Sequence, residues 1–256
     1  MDDFEKKPFE NRGIAFRGLG RDPLVQMQLS GCLLVSIVLL AGCLIPLLVL
    51  DMAQTALTNL HLHPTVAMLV LVGIVFGSAV NLPVTVIELD QEVPVPVYPP
   101  MGAWVPFPRF ERMQKETVVA VNVGGCVIPV LLAIHLLRFL LDGGWRVSSV
   151  VLVGILLNTA ICYRMATPVP KLGIRLPFLL PAAVALIVTW LGLGTSEFEA
   201  YRAPVAFVTG ISGPLLGADL LHWKDFKRIA AGTISIGGAG TWDGIVLSGL
   251  MAAFFA

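Results

Sequence analysis

The sequence predicts an all-α membrane protein, a single bundle of about seven transmembrane helices, on three observations. Hydrophobic residues make up 56% of the chain and charged residues only 13%, where a soluble domain carries roughly 25%. Mean hydropathy is +0.84. Apolar runs recur at the length of roughly 20 residues that a helix needs to cross hydrocarbon. Lys and Arg then fall on alternate connections between those runs, as the positive-inside rule requires.

Residues 1–27 are polar and mixed in charge, so they are expected to form a cytoplasmic tail ahead of a bundle over 28–256. The spans are expected at about 29–50, 64–83, 118–141, 147–166, 177–193, 203–222 and 241–256. Lys6, Lys7, Arg12, Arg17 and Arg21 precede the first span, and Arg109, Arg112 and Lys115 follow the second. Arg164, Lys171 and Arg175 follow the fourth; Lys224, Lys227 and Arg228 follow the sixth. Only Arg138, Arg146 and Arg202 are left for the other side. The expectation is a cell (inner) membrane protein with its N-terminus cytoplasmic and its C-terminus outside, so the lipid bilayer is its first partner.

In the first span, Leu40-Ala41-Gly42-Cys43 has the shape of a lipoprotein cleavage box, but the apolar run continues through Leu44–Leu50 and a membrane helix is preferred. His61 and His63 in the next connection, with Asp51 before them, are too few ligands for a zinc or copper site, and no metal is expected. Cys32, Cys43, Cys126 and Cys162 lie inside spans without a CxxC pair and read as small buried residues.

After the second span, Val84 to Pro100 partly alternates apolar with polar residues and carries prolines that exclude helix, so it reads as an extended or β-hairpin-like insertion on the cytoplasmic face. Glu88, Asp90 and Glu92 share one face of such a strand. Near the C-terminus, Gly232 to Gly244 is too rich in glycine for a comfortable helix interior. From Asp243 to Ala256 the chain is too short to cross about 30 Å at 1.5 Å per residue. The last segment is therefore expected to start early or to be broken or re-entrant, which frees backbone groups to bind something.

Five carboxamides or carboxylates sit in or beside apolar runs: Asn81, Asn122, Asn158, Asp219 and Asp243. Hydrocarbon offers no hydrogen-bond partner, so such groups are kept where they meet one another, a cavity or a substrate path. With the inferred threading, Asn81, Asn122, Asp219 and Asp243 all reach the cytoplasmic leaflet from four separate elements. They are the candidate site, with Asp219 and Asp243 as the reacting pair and Asn81, Asn122, Gly217, Gly237, Gly238, Gly240 and Gly244 lining it. Structural roles stand beside this reading. Asp243 also suits a helix N-cap, Asp219 an interfacial pair with Lys224 or Lys227, and the asparagines helix–helix hydrogen bonds. Gly210, Gly213 and Gly217 have the spacing of close helix packing.

Several stretches resemble an uncharacterised family of bacterial and archaeal multipass membrane proteins, domain of unknown function 1614. They are Val80-Asn81-Leu82-Pro83, Val119 to Gly125, Pro168 to Ile174, Gly217-Ala218-Asp219-Leu220-Leu221 and Ser235 to Ile245. Trp242 stands where the resemblance would place Phe, and His222 where it would place Asn. The resemblance implies membership and no mechanism.

Three functional classes remain. Two carboxylates sharing a site cannot both ionise easily, so one holds a proton while the other activates water; Asp219 and Asp243 would then form an aspartyl-protease-like intramembrane hydrolase. Gly217-Ala218-Asp219 departs from the Gly-x-Gly-Asp pattern of intramembrane aspartyl proteases, and no Pro-Ala-Leu segment is present. The same residues suit an ion- or proton-coupled transporter or channel, and a non-catalytic subunit that binds a partner protein through the hairpin is the third class. The chain has no Walker loop, Gly-x-Ser-x-Gly elbow or His-Glu-x-x-His helix, and its cations follow membrane topology, so neither a cofactor nor nucleic acid is expected.

Overall fold

Among the described residues, four helices are long and apolar enough to cross a membrane, over Leu34–Asn59, Val123–Asp142, Gly144–Met165 and Ser196–Leu220. Three shorter apolar helices accompany them: Pro64–Gly77, Leu180–Leu193 and Gly244–Phe255. The computed structural model describes residues 23–97, 107–169, 173–177, 179–226, 233–238 and 243–256, with 23–33, 41, 88–97 and 107–116 described by backbone alone.

The order is α1 (Pro23–Asn59), α2 (Pro64–Gly77), β1 (Asn81–Val97), β2 (Phe107–Asn122), a π-helical stretch π1 (Val123–Val127), α3 (Ile128–Asp142) and α4 (Gly144–Met165). Then come β3 (Thr167–Val169), β4 (Gly173–Arg175), α5 (Leu180–Leu193), α6 (Glu199–Ser212), a second π-helical stretch π2 (Gly213–Leu220), β5 (Thr233–Ile236) and α7 (Gly244–Phe255).

Contacts divide the chain between Val49 and Leu50. In the first unit, α1 exposes apolar side chains all along Leu34–Leu48, the surface expected of a helix solvated by lipid tails. In the second unit, α1 continues to Asn59, past the expected end at Leu50. Ala53, Ala56, Leu57 and Leu60 are buried there, and their i, i+3, i+4, i+7 spacing is the single apolar stripe of a half-buried helix. Asp51 lowers the local hydropathy without ending that stripe.

The second span ends earlier than expected, at Gly77, and the third begins later. Pro83 and the β-branched Val84-Thr85-Val86-Ile87 favour extended chain, and β1 pairs antiparallel with β2 from Asn81 opposite Asn122 out to Val97 opposite Phe107. In this backbone register Glu88, Asp90 and Glu92 are paired with Glu116, Gln114 and Arg112. At the base of the hairpin, Val118–Val121 of β2 also pairs in parallel with Thr233–Ile236 of β5. Two more residues of the glycine-rich segment, Gly237 and Gly238, follow β5; 239–242, including Gly240, lie outside the described residues, as does the expected tail up to residue 22.

Side-chain contacts identify the two ends of the bundle in the second unit. At one end, Asn59 Nδ2 donates to the Ala253 carbonyl at 3.4 Å, and His61 Nε2 is bonded to the Ala200 carbonyl at 2.7 Å. Arg202 donates to the carbonyls of Leu193, Gly194 and Thr195 at 2.9, 3.0 and 2.9 Å, and Arg146 to that of Gly192 at 3.2 Å. Both guanidiniums thereby satisfy the last carbonyls of α5. The opposite end gathers the starts of α3, α5 and α7, the ends of α2, α4 and π2, and the inner end of the three-stranded sheet.

Several interior polar side chains bond helix backbone. Asn158, fully buried, donates to the carbonyls of Pro181 and Thr209 at 3.1 and 2.7 Å, tying α4 to α5 and α6. Thr189 and Ser212 donate to carbonyls of their own helices at 2.8 Å.

Candidate functional site

Asp219 owes its position to a proline. Pro214 has no N–H for the Gly210 carbonyl one turn earlier, and from Gly213 the helix widens into π2. Ser248 of α7 donates its Oγ to that carbonyl at 2.8 Å, which satisfies it and pins α7 to α6. Gly217 lies so close to α4 that a Cβ would come 2.9 Å from both Cys162 Cβ and Tyr163 N. His222 closes the stretch, its Nδ1 bonded to the Gly217 carbonyl at 3.0 Å and its ring 4.8 Å from that of Tyr163. π-Helical segments occur often at functional sites because their irregular ladder re-aims side chains.

Asp243 is the N-cap of α7. Its backbone is extended, with φ −62° and ψ 148°, and its Oδ2 accepts the Ile245 N–H at 3.2 Å. A carboxylate there completes an orphan donor and meets the positive end of the helix dipole.

The two aspartates line one cleft of about 280 Å³ with Arg175, Pro214, Gly244 and Ile245 among its walls. A Cβ on Gly244 would meet nothing within 4 Å, so that glycine faces open space. Among the described residues no ion pair joins Asp219 to Lys224; Lys227 lies outside them. A second cleft, of about 370 Å³, is lined by Val169, Gly173, Ile174 and Arg175. Ile174 and Arg175 belong to both, so the two are contiguous.

Asn81 and Asn122 meet each other in a different cluster at the same end of the bundle. Asn122 is fully buried and caps π1, with its Oδ1 accepting the Gly125 N–H at 2.7 Å. Its Nδ2 donates to the Ser78 carbonyl at 2.8 Å and to Asn81 Oδ1 at 3.0 Å. Ser235 Oγ of β5 donates to the same Asn81 oxygen at 2.5 Å. The pair thus fastens the end of α2 to all three strands of the sheet, and among the described residues neither asparagine lines the aspartate cleft.

Gly237 packs on π1, the stretch that Asn122 caps. It has φ +70°, and a Cβ there would come 2.7 Å from the Gly125 carbonyl carbon and 2.8 Å from Cys126 Cβ. The reverse is also blocked, since a Cβ on Gly125 would strike the Gly237 carbonyl. The turn after β5 therefore packs backbone to backbone on π1. Gly238 packs on Ser235 and Gly217 on α4, whereas Gly244 faces the cleft.

Arg175, Ser235 and Ser248 were not singled out from the sequence. Arg175 lies directly after the Pro168 to Ile174 stretch, which drew notice without a role. The two serines sit in apolar or glycine-rich surroundings where a hydroxyl is unremarkable.

A family described as "Protein of unknown function (DUF1614)" matches the chain over residues 74–255, which takes in the whole of both clusters. Neither a curated protein nor a solved structure matches it.

Proposed function

The chain belongs to the DUF1614 family, and from that premise we propose that it is a seven-span membrane hydrolase whose working groups are Asp219 and Asp243, in the cytoplasmic leaflet. The observation that carries this reading is a single cleft shared by two carboxyls from different helices. Asp243 is engaged by the Ile245 N–H at a helix N-terminus and is the carboxylate of the pair. It takes a proton from water as the water oxygen adds to an acyl carbon. Asp219 gives its proton to the carbonyl oxygen; on collapse the leaving group departs with the proton held by Asp243 while Asp219 takes one back from the tetrahedral hydroxyl, which restores both groups.

The orientation is supported by charge. Arg164, Arg175 and Lys224 lie at the site end, and two of the three cations at the other end, Arg146 and Arg202, are committed to the carbonyls of α5. The three short helices reach less than about 30 Å at 1.5 Å per residue. They cross with non-helical chain beside them, which is tolerated where protein covers it; Ile234 and Ile236 of β5 are buried.

One-sided chemistry is favoured over transport because, among the described residues, the interior Asn158, Thr189, Ser212 and Ser248 side chains are spent on helix carbonyls. The test is reconstituted protein in lipid vesicles with an added transmembrane peptide, assayed by mass spectrometry for hydrolysis products of the peptide and of the lipids themselves. Asp219→Asn and Asp243→Asn should each abolish product while the fold keeps its melting temperature. Changed proton flux without product would favour the transporter, and lost stability alone would leave only structural roles for the aspartates.

A further inference from the structure

Among the described residues the guanidinium of Arg175 has no partner. Arg146 and Arg202 spend theirs on the end of α5. At Arg175 the backbone carbonyl accepts from Thr167 Oγ1 at 3.4 Å, but among the described residues no hydrogen bond or ion pair engages the side chain. This exposed cation stands on the wall shared by the two contiguous clefts, one of which holds Asp219 and Asp243. A planar fork of N–H donors is suited to the paired oxygens of a phosphate or carboxylate.

Beyond Arg175 and the two aspartates the wall is apolar, with Ile174, Leu176, Pro181, Pro214 and Ile245. Apolar surface continues outside it. Leu220 and Leu221, directly after Asp219, are 44% and 57% exposed, Leu179 before α5 is 48% exposed, and Trp223 is 40% exposed. Exposed leucines beside an indole are the mark of a membrane–water boundary. A ligand that satisfies the whole surface needs anionic oxygens at one end and a hydrocarbon chain at the other.

We propose that the cleft takes an anionic phospholipid, with its phosphate on Arg175 and its chain along the apolar wall toward Leu220. The assignment names the substrate class of the two-aspartate site and rests on that site being the working one. Free phosphate shares the headgroup chemistry but has no chain to place on the wall.

The experiment uses the full chain in phosphatidylcholine vesicles doped with a minor fraction of phosphatidylglycerol, extracted in mild detergent and weighed by native mass spectrometry with its retained lipid. Phosphatidylglycerol should be enriched about tenfold over its share, the effect of one charge-assisted contact. Arg175→Gln should return retention to the bulk ratio and Arg175→Lys should restore part of it. Arg164→Gln, an exposed cation at the same end, should change nothing. Equal enrichment in Arg175→Gln, equal loss in Arg164→Gln, or displacement of the lipid by inorganic phosphate at matched ionic strength overturns the proposal. Asp243→Asn separates the two readings, since it should keep the lipid while losing turnover. Retention that depends on Arg175 alongside turnover indifferent to both aspartates would sink the hydrolytic reading and leave lipid binding standing.

Discussion

Ser248 Oγ donates to the Gly210 carbonyl at 2.8 Å, the carbonyl that Pro214 leaves without its usual N–H. One hydroxyl of α7 therefore repairs the break in α6 that creates π2, and in doing so it fixes the element carrying Asp243 against the element carrying Asp219. The spacing of the two acids is set by a contact at neither of them.

Removing that hydroxyl tests the link. Ser248→Ala should leave a buried carbonyl unpaired and cost about 1 kcal/mol, read as a lower melting temperature in detergent. Turnover should fall further than Asn158→Ala makes it fall, because Asn158 joins α4 to α5 and α6 without touching α7.

The asparagine clasp should separate by burial. Asn122→Ala, at a fully buried position, strands the buried Gly125 N–H and the half-buried Ser78 carbonyl and should cost about 3 kcal/mol. Asn81→Ala, at an exposed position, should cost about 1 kcal/mol. Equal losses in chemical denaturation would contradict the network drawn here.

The contact between Gly125 and Gly237 should tolerate a methyl on neither side. Gly237→Ala combines left-handed backbone with a clash on π1, and Gly125→Ala meets the Gly237 carbonyl. Each should cost about 2 to 3 kcal/mol. The double variant should cost about as much as the worse single one and less than the sum of the two, a non-additivity that thermal unfolding of all three would show.

Gly244→Ala should behave in the opposite way. A Cβ there meets nothing within 4 Å, and alanine is favoured over glycine in a helix by up to about 1 kcal/mol. Stability should hold or rise while turnover falls, because the methyl enters the cleft beside Asp243. Unchanged turnover in the hydrolysis assay would mean that the cleft mouth is not where substrate lies.

Hydropathy located the apolar helices because the cost of leaving a residue in water is local to that residue, so α5 and α7 fall within the runs expected of them and α3, α4 and α6 overlap theirs, each passing one boundary by one to four residues. Asp243 was legible as an N-cap for the same reason, since capping depends on neighbours two or three positions away. The ends of spans two and three were misplaced where β-branched residues are as apolar as helix residues. Val118–Val121 reads as membrane helix until β1 and β5 are present to pair with it.

The sequence by itself determined the membrane class, the approximate runs and the identity of the costly polar residues, because hydrophobicity and helix rise act within one or two turns. Only the tertiary structure decided which of those residues meet. It divided the expected four-residue pocket into an aspartate cleft and an asparagine clasp, brought Arg175 to the former, and gave Ser248 the carbonyl that Pro214 had freed. Those pairings join residues dozens to more than a hundred positions apart, and hydrogen-bond geometry at that separation exists only once the helices and strands have packed.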